Sequence, residues 1–346
     1  MYENKFIIKS IYFIAIIALV TMFASCSDNK TEKNTMQEDK KEFVVKKSDK
    51  KPSSNKLVYI VSDTSIPFWA IMGRGFSNAA NLLGYDSEIY SSDNNAKKEL
   101  ELTAKAIKDN VAGIIISPTS SSSCVTILKL AKYAGIPVVI SDIGTDSGEY
   151  VSFISSDNKN GAYSIGKVLS KKMKTLGWHN GKVGIVAIPQ KRLNGQLRTA
   201  GFMKAIDEAG IKSIDIKQQV TFSLEETYNF VKDMIEKYPR IRAIWLQGSD
   251  KYKGALQAIE DSNRKGEILL VTFDAEPEFL ELIPNGTLVG AAMQQPFLMG
   301  QEAVYSMDDF LNGKEFEKDL QLPILAVSTD TIDEQLPTIK RNVLGL

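Results

Sequence analysis

From Leu57 onward the chain alternates short apolar runs, rich in β-branched residues, with longer stretches in which apolar residues recur every three or four positions. A run of four to eight such residues suits a buried strand, and the three-four spacing lays one apolar stripe along a helix. The runs predict strands over 57–61, 87–90, 113–116, 137–140 and 151–154, then a second series over 182–187, 213–220, 243–246, 268–273 and 288–293. The helix between the first two strands carries its stripe on Met72, Phe76, Ala79, Ala80 and Leu83. Longer helical patterns over 161–176 and 296–311 mark the transitions between the two series. Strands alternating with helices build parallel sheets covered on both faces, so two sets of five strands imply an α/β protein of two similar, doubly wound lobes. Gly84, Gly135 and Gly210 each close a helical stretch just before a strand, where a left-handed cap is wanted.

A different pattern stands ahead of this body. Lys5 and Lys9 precede an apolar run from Ile11 to Ala24, and the small residues Ala24 and Ser25 lead into Cys26. These are the parts of an export signal, and the run is shorter than the ~20 apolar residues a membrane-spanning helix needs. The tetrapeptide Phe23-Ala24-Ser25-Cys26 resembles a bacterial lipobox, with Phe23 where Leu is usual. That resemblance implies a signal over 1–25 and a diacylglycerol on the sulfur of Cys26. An ordinary cleaved signal and an uncleaved anchor are the competing readings. All three put the body outside the cytoplasm. Residues 26–56 hold almost no large apolar side chains, and their lysines and acids cannot bury enough surface to offset ordering, so they read as a disordered tether.

Beyond the tether lie about 290 residues, enough for two cores at ~100 to 200 residues per domain. With 42 basic and 42 acidic residues, the chain offers no electrostatic footprint for nucleic acid or for an anionic membrane surface. Cys124 is the one cysteine of the body, so no disulfide framework is available there, and its place behind a serine run puts it in the packing at a helix start. The single histidine, His179, falls in a turn-like Gly-Trp-His-Asn-Gly and lacks partners for a metal, and no cofactor is expected.

In open parallel sheets the ligand crevice lies beyond the carboxyl ends of the strands. In the first series those ends supply Ser62, Asp63, Phe68, Trp69, Ser117, Asp142 and Ser156; in the second they supply residues 190–194, Phe222, residues 247–250, Asp274 and Gln294. Carboxylates, amides and hydroxyls match the mixed donor and acceptor character of a polyol, and flat rings suit the apolar C–H faces of a sugar. Each polar group could instead serve a cap or turn, and each ring the core. Catalysis is poorly supported, because these ends lack a His, a Cys nucleophile, a Gly-rich phosphate loop and a clustered metal motif. The chain is therefore not expected to be an enzyme.

The phrases VSDTSIPFW, LLGYDSEIYSSDNNAKKEL, GIIISPTSS, AGIPVVISD, ISSDNKNGAYSIG, LRTAGFMKAI, VTFDAEP and AAMQQPFLMG occur in this order. Together they make residues 56–330 similar to the type I periplasmic binding proteins of sugar transporters, above all the ribose-binding branch. The resemblance implies two Rossmann-like lobes joined by a three-stranded hinge, with crossings near Ser156, Gln294 and Pro323. It assigns 57–156 plus 295–322 to an N-terminal lobe and 157–294 plus 323–340 to a C-terminal lobe. It also implies that Phe68 and Trp69 form an aromatic wall, Asp142 and Asp274 accept from hydroxyls, Phe222 is the opposing ring, and Gln294 lies near the hinge. Ser62, Ser117 and Ser156 fall at related positions.

The chain departs from that branch at four places. Ile66 and Ile143 stand where the branch has Asn and Arg, a second-lobe Asn falls on Gly248, and an Arg falls on Gln196. The ligand is thus less hydroxylated than a pentose, or a different small molecule in the same cleft, and ribose is not expected. Related DNA-binding repressors begin with a helix-turn-helix, where this chain has its leader. The resulting expectation is a monomeric, lipid-anchored solute receptor in the periplasm or at the cell surface, delivering a sugar-like molecule to the permease of an ABC importer. The competing reading is a sensory module presenting a signal, such as a furanose autoinducer, to a chemoreceptor or sensor kinase.

Overall fold

The computed structural model describes residues 54–346, so the signal and Cys26 lie outside the described residues, as does the tether up to residue 53. Two six-stranded sheets organise the described chain. The first contains β1 (Lys56–Val61), β2 (Asp86–Ser91), β3 (Gly113–Ser117), β4 (Val138–Ser141), β5 (Phe153–Ser156) and β11 (Asp319–Leu322), in the spatial order 11-5-4-3-1-2. The second contains β6 (Lys182–Ala187), β7 (Lys212–Gln218), β8 (Ile241–Leu246), β9 (Leu269–Phe273), β10 (Gly290–Met293) and β12 (Leu325–Ser328), in the order 12-10-9-8-6-7. All pairings are parallel except β10 with β12. Each sheet repeats one winding, and β1, β3 and β4 are buried almost throughout, as strands covered on both faces must be.

The strands β11 and β12 escape sequence reading. Each has four residues, they are separated by Pro323 and Ile324, and β11 alternates exposed Asp319 and Gln321 with half-buried Leu320 and buried Leu322, without an apolar run. Their pairing comes from the sheet edge they meet, not from their own pattern. The strand expected over 151–154 is shifted to Phe153–Ser156. Val151 still donates its N–H to the carbonyl of Val138, but from outside the strand.

Helices cover both sheets: α1 (Pro67–Leu82), α2 (Ala96–Lys108) and α3 (Ser121–Ala134) follow the first strands, and α4 (Asn158–Thr175) follows β5. Next come α5 (Leu193–Glu208), α6 (Leu224–Lys237), α7 (Tyr252–Asp261), the short α8 (Phe279–Leu282), α9 (Pro296–Leu311) and α10 (Ile332–Thr338), with a π-helical turn over Ile339–Leu344. Local signals account for several ends. Asn95 caps α2 by accepting from the N–H groups of Lys97 and Lys98, Ser120 forms a capping box with Ser123, and Pro67 and Pro296 open α1 and α9. Gly84, Gly135 and Gly210 take φ of 80°, 73° and 76°, the left-handed region in which a side chain would be strained.

Two helix crossings are built on the absence of a side chain. A Cβ on Gly75 of α1 would strike the carbonyl oxygen of Phe297 of α9, and one on Gly300 of α9 would strike that of Met72. In the other half of the molecule, a Cβ on Gly201 of α5 would strike the carbonyl oxygen of Lys159 of α4. Backbones this close cannot yield as a flexible side chain would.

The chain passes between the sheets three times: after β5, between β10 and α9, and between β11 and β12. Hydrogen bonds tie the crossings together. Asp157 donates its N–H to the Leu322 carbonyl at 3.0 Å, Gln295 Nε2 donates to the Pro323 carbonyl at 2.8 Å, and Asn342 Nδ2 donates to Gln295 Oε1 at 2.7 Å. Cys124 is buried near the start of α3, and burial pushes its thiol up to about 12, which keeps it unreactive.

Candidate ligand-binding cleft

The carboxyl ends of both sheets face one cavity of about 70 Å³. Phe68 and Trp69 enter it from the first turn of α1, edge to face with centroids 4.9 Å apart. Phe222 lines it from the loop after β7. That loop is held by Glu226, whose carboxylate accepts from the N–H groups of Val220, Thr221 and Phe222, and Phe222 takes φ of 54°. A bulky residue held in the left-handed region is uncommon and marks a conformation imposed by its surroundings.

Asp142 and Asp274 occupy matching places. Each directly follows its strand, β4 or β9, with φ of 65° and 66°. Each donates its N–H to the neighbouring strand, Asp142 to Ile154 at 2.9 Å and Asp274 to Ala292 at 2.8 Å. The backbone bond fixes the residue and turns its carboxylate toward the cavity. Asp274 Oδ1 accepts from Gln294 Nε2 at 2.7 Å, and its Oδ2 lies 3.6 Å from Arg198 Nη1. Asp142 Oδ1 and Gln294 Oε1 are buried and have no protein partner. Burial raises the Asp142 carboxyl to about 6, opposed by Arg198 and reinforced by Asp274; burial raises Asp274 as well, again opposed by Arg198.

Six of the nine residues read from the sequence therefore meet at the cavity: Phe68, Trp69, Asp142, Phe222, Asp274 and Gln294. The three serines do not line it. Ser62 Oγ donates to the carbonyls of Ser117 and Pro118, Ser117 Oγ pairs with the Tyr59 hydroxyl at 2.8 Å, and Ser156 Oγ faces Met299 Sδ at 3.5 Å. Their hydroxyls are taken up by backbone carbonyls, by the Tyr59 hydroxyl and by the Met299 sulfur, because strand pleating turns them into the sheet's packing. Ile66 and Gly248 line the cavity, whereas Ile143 is 1% exposed and packs in the core below β4. Gln196 stays outside, donating to the carbonyl of Gln190.

Sequence reading assigned no ligand role to the cations of the cleft or to one of its acids, although Arg192 falls within the strand-end residues 190–194. Arg192, just before α5, and Arg198 both line the cavity. Arg198 is 3% exposed, stacks 3.8 Å above the Phe273 ring, and donates from Nε to Asn158 Oδ1 and from Nη1 to the Gln247 carbonyl. The available signal was spacing: Asn194 and Arg198 are four apart, on the face of α5 that also buries Phe202. Glu276, two residues beyond Asp274, is 8% exposed and accepts from Ser249 Oγ at 2.8 Å. Burial lifts its carboxyl to about 7.

Two doubly wound lobes, three crossings, and a cavity that takes buried carboxylates and aromatic rings from both lobes and guanidinium groups from the second define a solute-binding protein that encloses a small molecule. The model of the periplasmic binding protein domain matches residues 57–315, and the chain belongs to that family of binding proteins, not to a family of enzymes. It is 26% identical to the ribose import binding protein of Bacillus subtilis over 264 residues, covering 76% of this chain and 84% of the relative. It is 28% identical over 265 residues to the ribose import binding protein of Escherichia coli, covering 75% and 86% respectively. The fold matches that of a carbohydrate transporter solute-binding protein from Agrobacterium radiobacter in complex with D-arabinose, with a TM-score of 0.77 at 21% identity, over 84% of this chain and 99% of the other.

Proposed function

We propose that this chain is an extracytoplasmic solute-binding protein that captures a sugar or sugar-like molecule between its lobes and delivers it to an ABC importer. The supporting observation is the paired placement of Asp142 and Asp274, with Phe68, Trp69 and Phe222, around one small cavity. Ionised carboxylates accept from hydroxyls, each such bond contributing ~1.5 to 3 kcal/mol, and the rings cover the C–H faces. Arg192, Arg198 and Gln294 supply further donors and acceptors, so a polyol can satisfy both senses of bonding at once. Relatives named as ribose import binding proteins support a sugar as cargo and a permease as partner.

In this reading residues 1–25 are a signal, Cys26 carries the lipid, and residues 26–56 tether a monomeric two-lobed body to the membrane from the periplasmic or outer side. The lobes are 57–156 plus 295–322, and 157–294 plus 323–340. Thermal-shift screening against pentoses, hexoses, inositols and other polyols is the direct test. At least one is expected to raise the melting temperature in a concentration-dependent way, and a flat response across the whole panel would sink the reading.

A further inference from the structure

One end of the cavity is built from residues that follow β8 and β9, and it differs in chemistry from the rest. Gly248 leaves it open, since a Cβ there would meet only Asp250 Oδ1, at 3.7 Å. Asp250, Asp274 and Glu276 all line this side. Asp250 is paired with Lys251 Nζ at 2.7 Å, and Asp274 lies 3.6 Å from Arg198. Glu276 has no such cation among the described residues, and its charged neighbours are the acids Asp250, Glu278 and Asp274. Its Oε1 accepts from Ser249 Oγ, the one side-chain hydrogen bond to its carboxylate among the described residues, and the residue lines the cavity. Gln294 Oε1, on a residue 1% exposed, and Asp142 Oδ1, on a residue 5% exposed, are acceptors without protein partners.

A buried carboxylate without a counter-charge is costly, and a hydroxyl from a ligand would satisfy its hydrogen bonding without neutralising it. A ligand ammonium would do both, with three N–H donors for Glu276, Ser249 and the neighbouring carboxylates. The space beside Gly248 admits the substituent. We propose that Gly248, Ser249 and Glu276 form a subsite for an amino group, so that the solute is an amino sugar or a similarly aminated polyol. This rests on the sugar-like ligand proposed above and specifies its class.

Titration calorimetry with D-glucosamine, D-galactosamine and D-mannosamine, each beside its neutral parent hexose, tests it. At least one amino sugar is expected to bind about tenfold or more tightly than its parent. Glu276→Gln, which keeps the volume and the Ser249 contact, should bring that ratio toward one. Gly248→Asn, which fills the space, should also lower the ratio, and thermal unfolding establishes that both variants fold. Parents that bind as tightly as their amino counterparts, or a ratio that survives Glu276→Gln, overturn the subsite and leave sugar binding intact. Failure of both sets, together with the pentoses and polyols, overturns the subsite and the sugar reading alike.

Discussion

Arg192 Nη2 donates to the carbonyl oxygen of Thr119 at 3.3 Å, joining the loop after β6 to the loop after β3 in the other lobe. The acceptor is held firmly: the Thr119 N–H donates to Glu99 Oε1 at 2.7 Å, and Glu99 also accepts from Ser123. The same guanidinium lies 5.9 Å from the Phe222 ring centroid, so one side chain joins lobe contact to cavity wall.

Arg192→Ala should therefore favour the open form and weaken ligand binding by roughly 10- to 150-fold, the scale of one charge-assisted hydrogen bond. Small-angle scattering should show a larger radius of gyration for the variant. Identical scattering curves and affinities would remove Arg192 from the closure.

Asp142→Asn and Asp274→Asn keep size while removing charge. Each is expected to cost ~1.5 to 3 kcal/mol of binding to whichever ligand is identified, about 10- to 150-fold in Kd. Because both residues touch Arg198 electrostatically, the double variant should be non-additive. Additive losses in calorimetry would show that they act separately.

Stability should depend on pH through Asp142 and Glu276. Their folded values, about 6 and about 7, are raised from 3.8 and 4.5, so the folded chain holds these protons more tightly than the unfolded one. Stability from this source is present at low pH and declines as pH rises through those windows, about 4 to 7 overall. The melting temperature of the ligand-free protein should fall across that range, and Asp142→Asn combined with Glu276→Gln should flatten the slope. A slope unchanged by the double variant would assign the effect elsewhere.

Gly75→Ala and Gly300→Ala each push a methyl against a backbone carbonyl in the α1–α9 crossing. Overpacking of this kind costs ~1 to 3 kcal/mol. Chemical denaturation should show each variant less stable, and wild-type stability in both would mean the helices separate easily.

Cys26→Ser should release the protein from the membrane fraction, or leave it uncleaved, if the sulfur carries the anchor. Mass spectrometry of the wild-type amino terminus should find a diacylglyceryl cysteine. An unmodified cysteine would exclude lipidation.

The sequence by itself determined the two α/β series, because buried parallel strands need near-continuous apolar runs and their helices need a stripe at three-four spacing. Phe68, Trp69, Asp142, Phe222, Asp274 and Gln294 were legible for a related reason, since the ends of such strands are where a parallel sheet opens to a ligand. Tertiary structure decided the rest. It turned Ser62, Ser117 and Ser156 into their own sheet, since pleating and neighbouring carbonyls fix a hydroxyl's direction and spacing along the chain does not. It paired β11 and β12, whose edge positions come from the sheets they join. It brought Arg192, Arg198 and Glu276 into the cleft, where burial and charged neighbours from distant segments set their chemistry.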